Sequence, residues 1–190
     1  TFDEDGNVTY DTPKRLPGAV SLSLDPEGES ENFYADDIVY YVLNNNAGYE
    51  GDLELALIPE EFLKDIRHEE EDANGVLLEN ANTTYERFAL LFEFTGDQHA
   101  IRHVFYCCSA SRPSAEGDTK EDEKEVKTEE LAIIASALAS GYVKAKSSVN
   151  TSKAVYDAWY DTVYMPPAEA PEEEEEQGGE TDGGETEPQG

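Results

Sequence analysis

Over residues 50–57 the chain alternates strictly, with Leu53, Leu55 and Leu57 on one side and Asp52, Glu54 and Ala56 on the other. This period of two predicts a strand with one covered face. Pro59 then opens Glu60-Glu61-Phe62-Leu63-Lys64-Asp65-Ile66. Proline suits a first helical position, the glutamates suit the positive end of the dipole, and Phe62, Leu63 and Ile66 form an apolar stripe. A helix of about two turns follows, packed through those three residues, with the His68-Glu-Glu-Glu-Asp72 run as an exposed acidic loop. Asn74-Gly75 predicts a turn into a strand at Val76-Leu77-Leu78.

The same reading extends to both sides. A turn at residues 3–7 leads into a short strand at Val8-Thr9-Tyr10, and Val20, Leu22 and Leu24 align along another. Asp25-Pro26-Glu27-Gly28 predicts a turn, followed by strands at 31–34 and 38–43 split by Ala35-Asp36-Asp37, and a polar loop at 44–48. Phe88, Leu90, Phe92 and Phe94 mark the most apolar strand, and Gly96-Asp97 turns it into a second at 100–109. The pair reads as a hairpin near the centre of a sheet. Residues 112–124 are loop, long enough to suggest a functional role. Residues 126–138 fit two readings: alanine and leucine favour a helix, whereas Leu131-Ala132-Ile133-Ile134 followed by small residues fits a strand. A strand at 142–146 and a last helix through Tyr160, capped by Thr151 or Ser152, with Val155, Ala158 and Trp159 on one face, complete the body.

Charge changes the picture most. Forty-four acids against thirteen bases give a net charge of −31 over 190 residues. This balance argues against a nucleic-acid grip built on phosphate neutralisation. Ten of the acids lie in residues 166–190 without a base, leaving the body at −21. That Glu-, Gly- and Pro-rich end cannot bury enough surface to fold and is expected to be a disordered tail. The domain is thus expected at 1–165 and the tail at 166–190. No apolar run approaches a membrane span, and the sequence shows no signal-peptide pattern. Adjacent Cys107 and Cys108 point to opposite faces of a strand and predict free thiols in a reducing compartment.

Candidate chemistry is sparse. Phosphate-binding glycine loops, Cys-x-x-Cys, His-Glu-x-x-His and Gly-x-Ser-x-Gly are all missing from the sequence. Asp3, Asp5 and Asn7 lack the glycine and glutamate spacing of a calcium loop. His68 heads an acidic run that reads as a solvated charge cluster, and His99 and His103 lack ligands at metal spacing. Three Asn-x-Ser/Thr triplets, at Asn7, Asn82 and Asn150, carry little weight without a secretory signal. Tyr34, Tyr40 and Tyr41 offer stacking surfaces but no basic groove, so cross-strand packing or a subunit contact is the better reading. We expect no enzyme, no cofactor and no metal.

In order along residues 6–165, several short pieces carry a resemblance. They are Val8-Thr-Tyr10 with Pro13-Lys-Arg-Leu16, Ala19-Val-Ser21, Phe33-Tyr-Ala-Asp-Asp37, and residues 51–57 with Pro59-Glu-Glu-Phe-Leu63. They continue with Asn74-Gly-Val-Leu-Leu-Glu-Asn-Ala81, residues 88–93, Val104-Phe-Tyr106, Thr119-Lys-Glu-Asp122 and Ala158-Trp159. The succession resembles the major tail protein (tail tube protein) family of long-tailed, siphovirus-type bacteriophages and prophages. Two departures stand out. The family opens with a strand before the first turn, so an N-terminal strand is expected to be missing here. Its Thr-Pro-Thr-like strand after the charged loop is replaced by Thr128-Glu-Glu-Leu-Ala-Ile-Ile134.

The resemblance implies a mainly β fold with short helices (α+β), a tail-tube-type β-sandwich or barrel with one flanking helix. It implies a structural virion protein that self-assembles into hexameric rings stacked into a tube. The tape-measure protein and DNA would pass through an acidic lumen without specific binding, and other tail proteins would sit at the tube ends. The place of action would be the virion tail, assembled in the bacterial host cytoplasm, without a membrane partner. For residues 126–138 it favours strand over helix. It makes the charged loop a candidate inter-ring arm, with Arg112, Asp118, Lys120, Glu121 and Lys124 as its contact residues. The alternative from composition alone is an acidic monomeric binding module, a DNA mimic or a cation-binding domain.

Overall fold

The computed structural model describes residues 8–28, 30–35, 38–94, 96, 100–113 and 127–167, with backbone alone at 30–35 and 38–44. The fold is mainly β with short helices. Ten strands are described: β1 (Ala19–Glu27), β2 (Ser30–Ala35), β3 (Ile38–Asn44), β4 (Gly48–Leu55), β5 (Glu70–Glu71), β6 (Leu77–Leu78), β7 (Phe88–Glu93), β8 (Arg102–Ala110), β9 (Glu129–Ser136) and β10 (Lys144–Lys146). Helix α1 (Glu60–Arg67) follows β4, and α2 (Lys153–Asp157) runs into a 3-10 turn, Ala158–Tyr160.

Six strands form one antiparallel sheet. β1 pairs β4, β4 pairs β9, and β9 pairs the end of β8. β10 continues along the same edge of β8 that β9 leaves, while β7 takes the opposite edge. The change of neighbour falls at a bulge. Leu90 faces Phe105 but Phe88 faces Cys108, so β8 holds one residue more than β7 between those pairs. A bulge sharpens local twist, and here the sheet curls. It also sends Tyr106 and Cys107 to one cluster and Phe105 and Cys108 to the other.

The larger cluster lies between β4, β9 and the Phe105–Cys108 side of β8, built from Leu53, Leu55, Leu131, Ile133 and Ala135, with Phe62 and Leu63 of α1 against it. The smaller one gathers Val104, Tyr106, Cys107, Leu138 and Trp159, with Tyr10, Val155 and Tyr164 around it. Ser152 caps α2 by accepting a hydrogen bond from the Val155 amide, as expected of that residue type. Both thiols are free and buried, and burial pushes Cys108 up to about 12.

Residues 129–136 form a strand, as the resemblance implied and against their helix propensity, because β4 and β8 offer ladders on both sides and Leu131, Ile133 and Ala135 fit one covered face. Several other expectations are corrected. No turn occurs at residues 25–27. β1 runs through Pro26, which a strand at the margin of a sheet tolerates because one of its sides needs no donor. Val20 does not align with Leu22 and Leu24; a register shift between Ala19 and Ser21 turns it outward. Leu57 is 68% exposed because β4 ends at Leu55, and Ile58 takes the buried place. Val8 makes only an isolated bridge instead of a strand. The acidic run after α1 is not wholly loop, since Glu70 and Glu71 pair with Leu78 and Leu77. Only β8 of the apolar hairpin is central, because β7 has one neighbour.

β2 and β3 pair with each other, from Ser30 opposite Asn44 to Ala35 opposite Ile38. Their ladder takes up almost where β1 and β4 stop, at Glu27 opposite Gly48. The Ala47 amide donates to the Glu27 carbonyl at 2.9 Å between the two ladders. The chain thus makes one long antiparallel ribbon whose near half belongs to the main sheet. The expected turns at residues 3–7 and Asp36-Asp37, His99, and the tail from residue 168 lie outside the described residues.

Candidate assembly surfaces

Three surfaces are left uncovered by the described part of this fold. The first is the set of sheet margins. The outer sides of β1, β7 and the short β10 have no strand beside them among the described residues, so each presents unpaired backbone groups.

The second is the face of β1, β4 and β9 turned away from the larger cluster. Alternation along β4 places Glu50, Asp52 and Glu54 there, opposite Asp25, Ser23 and Ser21 of β1 and Ile134, Ala132 and Glu130 of β9. Five carboxylates therefore share one open face. Glu54 accepts hydrogen bonds from Ser21 Oγ at 2.8 Å and Thr128 Oγ1 at 2.7 Å. The Thr128 hydroxyl first, then that of Ser21, holds its carboxyl below the usual range.

The third is the end of β8 from which residues 114–126 depart. The expected packing residues Phe62 and Leu63 do join α1 to the larger cluster, with the Phe62 and Phe88 rings edge-on at 5.4 Å, and Ile66 is half-buried. Sequence reasoning missed Arg67. Its side chain is 1% exposed. It donates to the Ser111 carbonyl at 3.0 Å, to Glu79 at 2.6 Å and to the Tyr85 hydroxyl at 3.4 Å, and its guanidinium lies 4.5 Å from the Tyr85 ring centre. The only signal was position: Arg67 stands four residues after Leu63 and so on the same helical face. His68 ends the helix in the left-handed region at φ 53°, a conformation that costs a non-glycine residue some strain.

Glu79 and Tyr85 also bind Arg112, each at 3.1 Å. Arg112, the first of the five expected arm residues, is thus turned back onto the body; Asp118, Lys120, Glu121 and Lys124 lie outside the described residues. Because Arg67 is an enclosed cation, charge and volume can be separated. Arg67→Ala should lower stability by about 3 kcal/mol, from the cavity and the abandoned Ser111 carbonyl. Arg67→Met should lose less than half of that, since it fills the space and Glu79 keeps Arg112. Urea midpoints compare them, and equal losses would refute the volume argument.

No group of three His, Cys, Asp or Glu side chains poised for a metal ion occurs among the described residues. No helix of the described residues is long and apolar enough to cross a membrane. No protein-family model matches the sequence, and a search of curated proteins finds no match.

Proposed function

We propose that this chain is a structural, self-assembling protein of the tail-tube type, forming hexameric rings that stack into a conduit for DNA. The observation that carries the reading is the sheet whose two longer margins among the described residues, β1 and β7, are unpaired, joined to a ribbon that runs on through β2 and β3. Setting β7 of one protomer against β1 of the next removes both of these margins at once, leaving only the three-residue β10 as an edge, and repetition closes a ring. The tail-tube β-sandwich or barrel is what such a curled sheet becomes when α1 flanks it. The open carboxylate face of β1, β4 and β9 then lines the lumen, where it repels phosphates and lets a duplex slide without sticking. The order of sequence motifs from Val8 to Trp159 supports the same reading.

Size-exclusion chromatography with negative-stain microscopy tests it. Rings or tubes that grow with salt, as repulsion between acidic protomers is screened, are the expected result. A strict monomer at every salt concentration would overturn the proposal in favour of an acidic binding module.

A further inference from the structure

In a chain this acidic, the uncommon feature is a cation without an anion. Residues 131–156 run for 26 positions without an Asp or Glu and contain Lys144, Lys146 and Lys153. Residues 100–113 are equally free of acids, and β8 sets its Arg102 and His103 beside β10, with His103 opposite Lys146. The fold therefore collects a cationic pole on a molecule of strongly negative charge. Two of its members are satisfied: Arg102 pairs with Glu93 and Lys153 with Asp157. Lys144 and Lys146 share one face of β10, both exposed. Lys144 lies over the Tyr49 ring at 4.2 Å, and neither lysine has a carboxylate partner among the described residues.

Lys146 also borders a pocket of about 290 Å³, together with Thr151, Ser152, Val155, Trp159 and Tyr164. The acidic C-terminal segment begins two residues after Tyr164, and its five consecutive glutamates, 172–176, begin eight residues after it. At roughly 3.3–3.6 Å per residue, those glutamates reach any point within ~28 Å of Tyr164. The segment is thus tethered beside the pole, at an effective concentration on the order of millimolar.

We propose that the acidic C-terminal segment binds back on this pole of its own chain, with glutamates 172–176 over Lys144 and Lys146. Each exposed ion pair is weak, so the contact depends on several pairs and on the tether, and salt dissolves it. This holds whether or not the chain builds tubes.

Zero-length carbodiimide coupling of lysine to glutamate reads the contact directly. The full chain is treated at low salt as an equal mixture of unlabelled and 15N-labelled protein, and cross-linked peptides are sequenced by mass spectrometry. The expected products join Lys144 or Lys146 to glutamates 172–176 within single chains, falling at least about fivefold near 0.5 M salt. In the full-length Lys144→Gln, Lys146→Gln variant, whose melting is expected to stay unchanged, tail products should not move to Lys153 at the same yield. Products joining labelled to unlabelled chains would assign the strip to a second copy and overturn the proposal. Tail products confined to other lysines, or none, would also overturn it.

Discussion

A chain carrying both Phe62→Asp and Ile66→Asp should fail to fold. Phe62 rests on the larger cluster and meets Phe88 edge-on, while Ile66 holds the inner end of the helix, where its carbonyl accepts the Glu86 amide at 2.8 Å. Losing a packed phenylalanine costs about 3–5 kcal/mol before any charge is buried. Placing carboxylates against an apolar cluster adds a further penalty. Against a whole-domain stability of about 5–15 kcal/mol, the pair removes most of the margin. Circular dichroism and near-ultraviolet spectra should show loss of the native state. A folded protein that no longer assembles would instead make α1 an interface element.

The second large effect belongs to Gly51. A Cβ built there would stand 1.9 Å from the Ser23 carbonyl oxygen and 2.9 Å from the Leu24 Cα, both backbone atoms of β1. Glycine in a strand interior often marks such a close approach. Because the collision occurs at Cβ, alanine should be nearly as harmful as valine, each costing about 3 kcal/mol or more as β1 is levered off β4. Hydrogen exchange should rise first at the Ser23 and Asp25 amides, which alternate with Pro26 and so face β4. A silent Gly51→Ala would show that β1 does not lie this close.

Much of the body was legible because local and tertiary demands agree. Leu53 and Leu55 alternate with acids in a strand whose faces differ, Pro59 and two glutamates start a helix where one starts, and Ser152 caps where a cap was expected. The failures come where partners distant in sequence decide. Pro26 reads as a turn until β4 is known to lie on only one side of it. For residues 129–136 propensity alone leans to helix, and it took the resemblance to favour the strand that two ladders claim. Arg67 reads as a surface charge because hydropathy carries no information about Ser111, Glu79 and Tyr85 waiting around it. Of the expected arm residues only Arg112 can be placed, and its partners were not evident from loop composition.

The bulge in β8 gives two adjacent residues separate fates. Cys107 belongs to the cluster under α2, and Cys108 to the one under α1. Loosening the C-terminal helix uncovers the first sulfur alone, and loosening α1 uncovers the second. Both become accessible together only when the central strand itself gives way. Two neighbouring thiols thus act as independent witnesses to the opening of opposite halves of the domain, and their order of exposure records which half yields first.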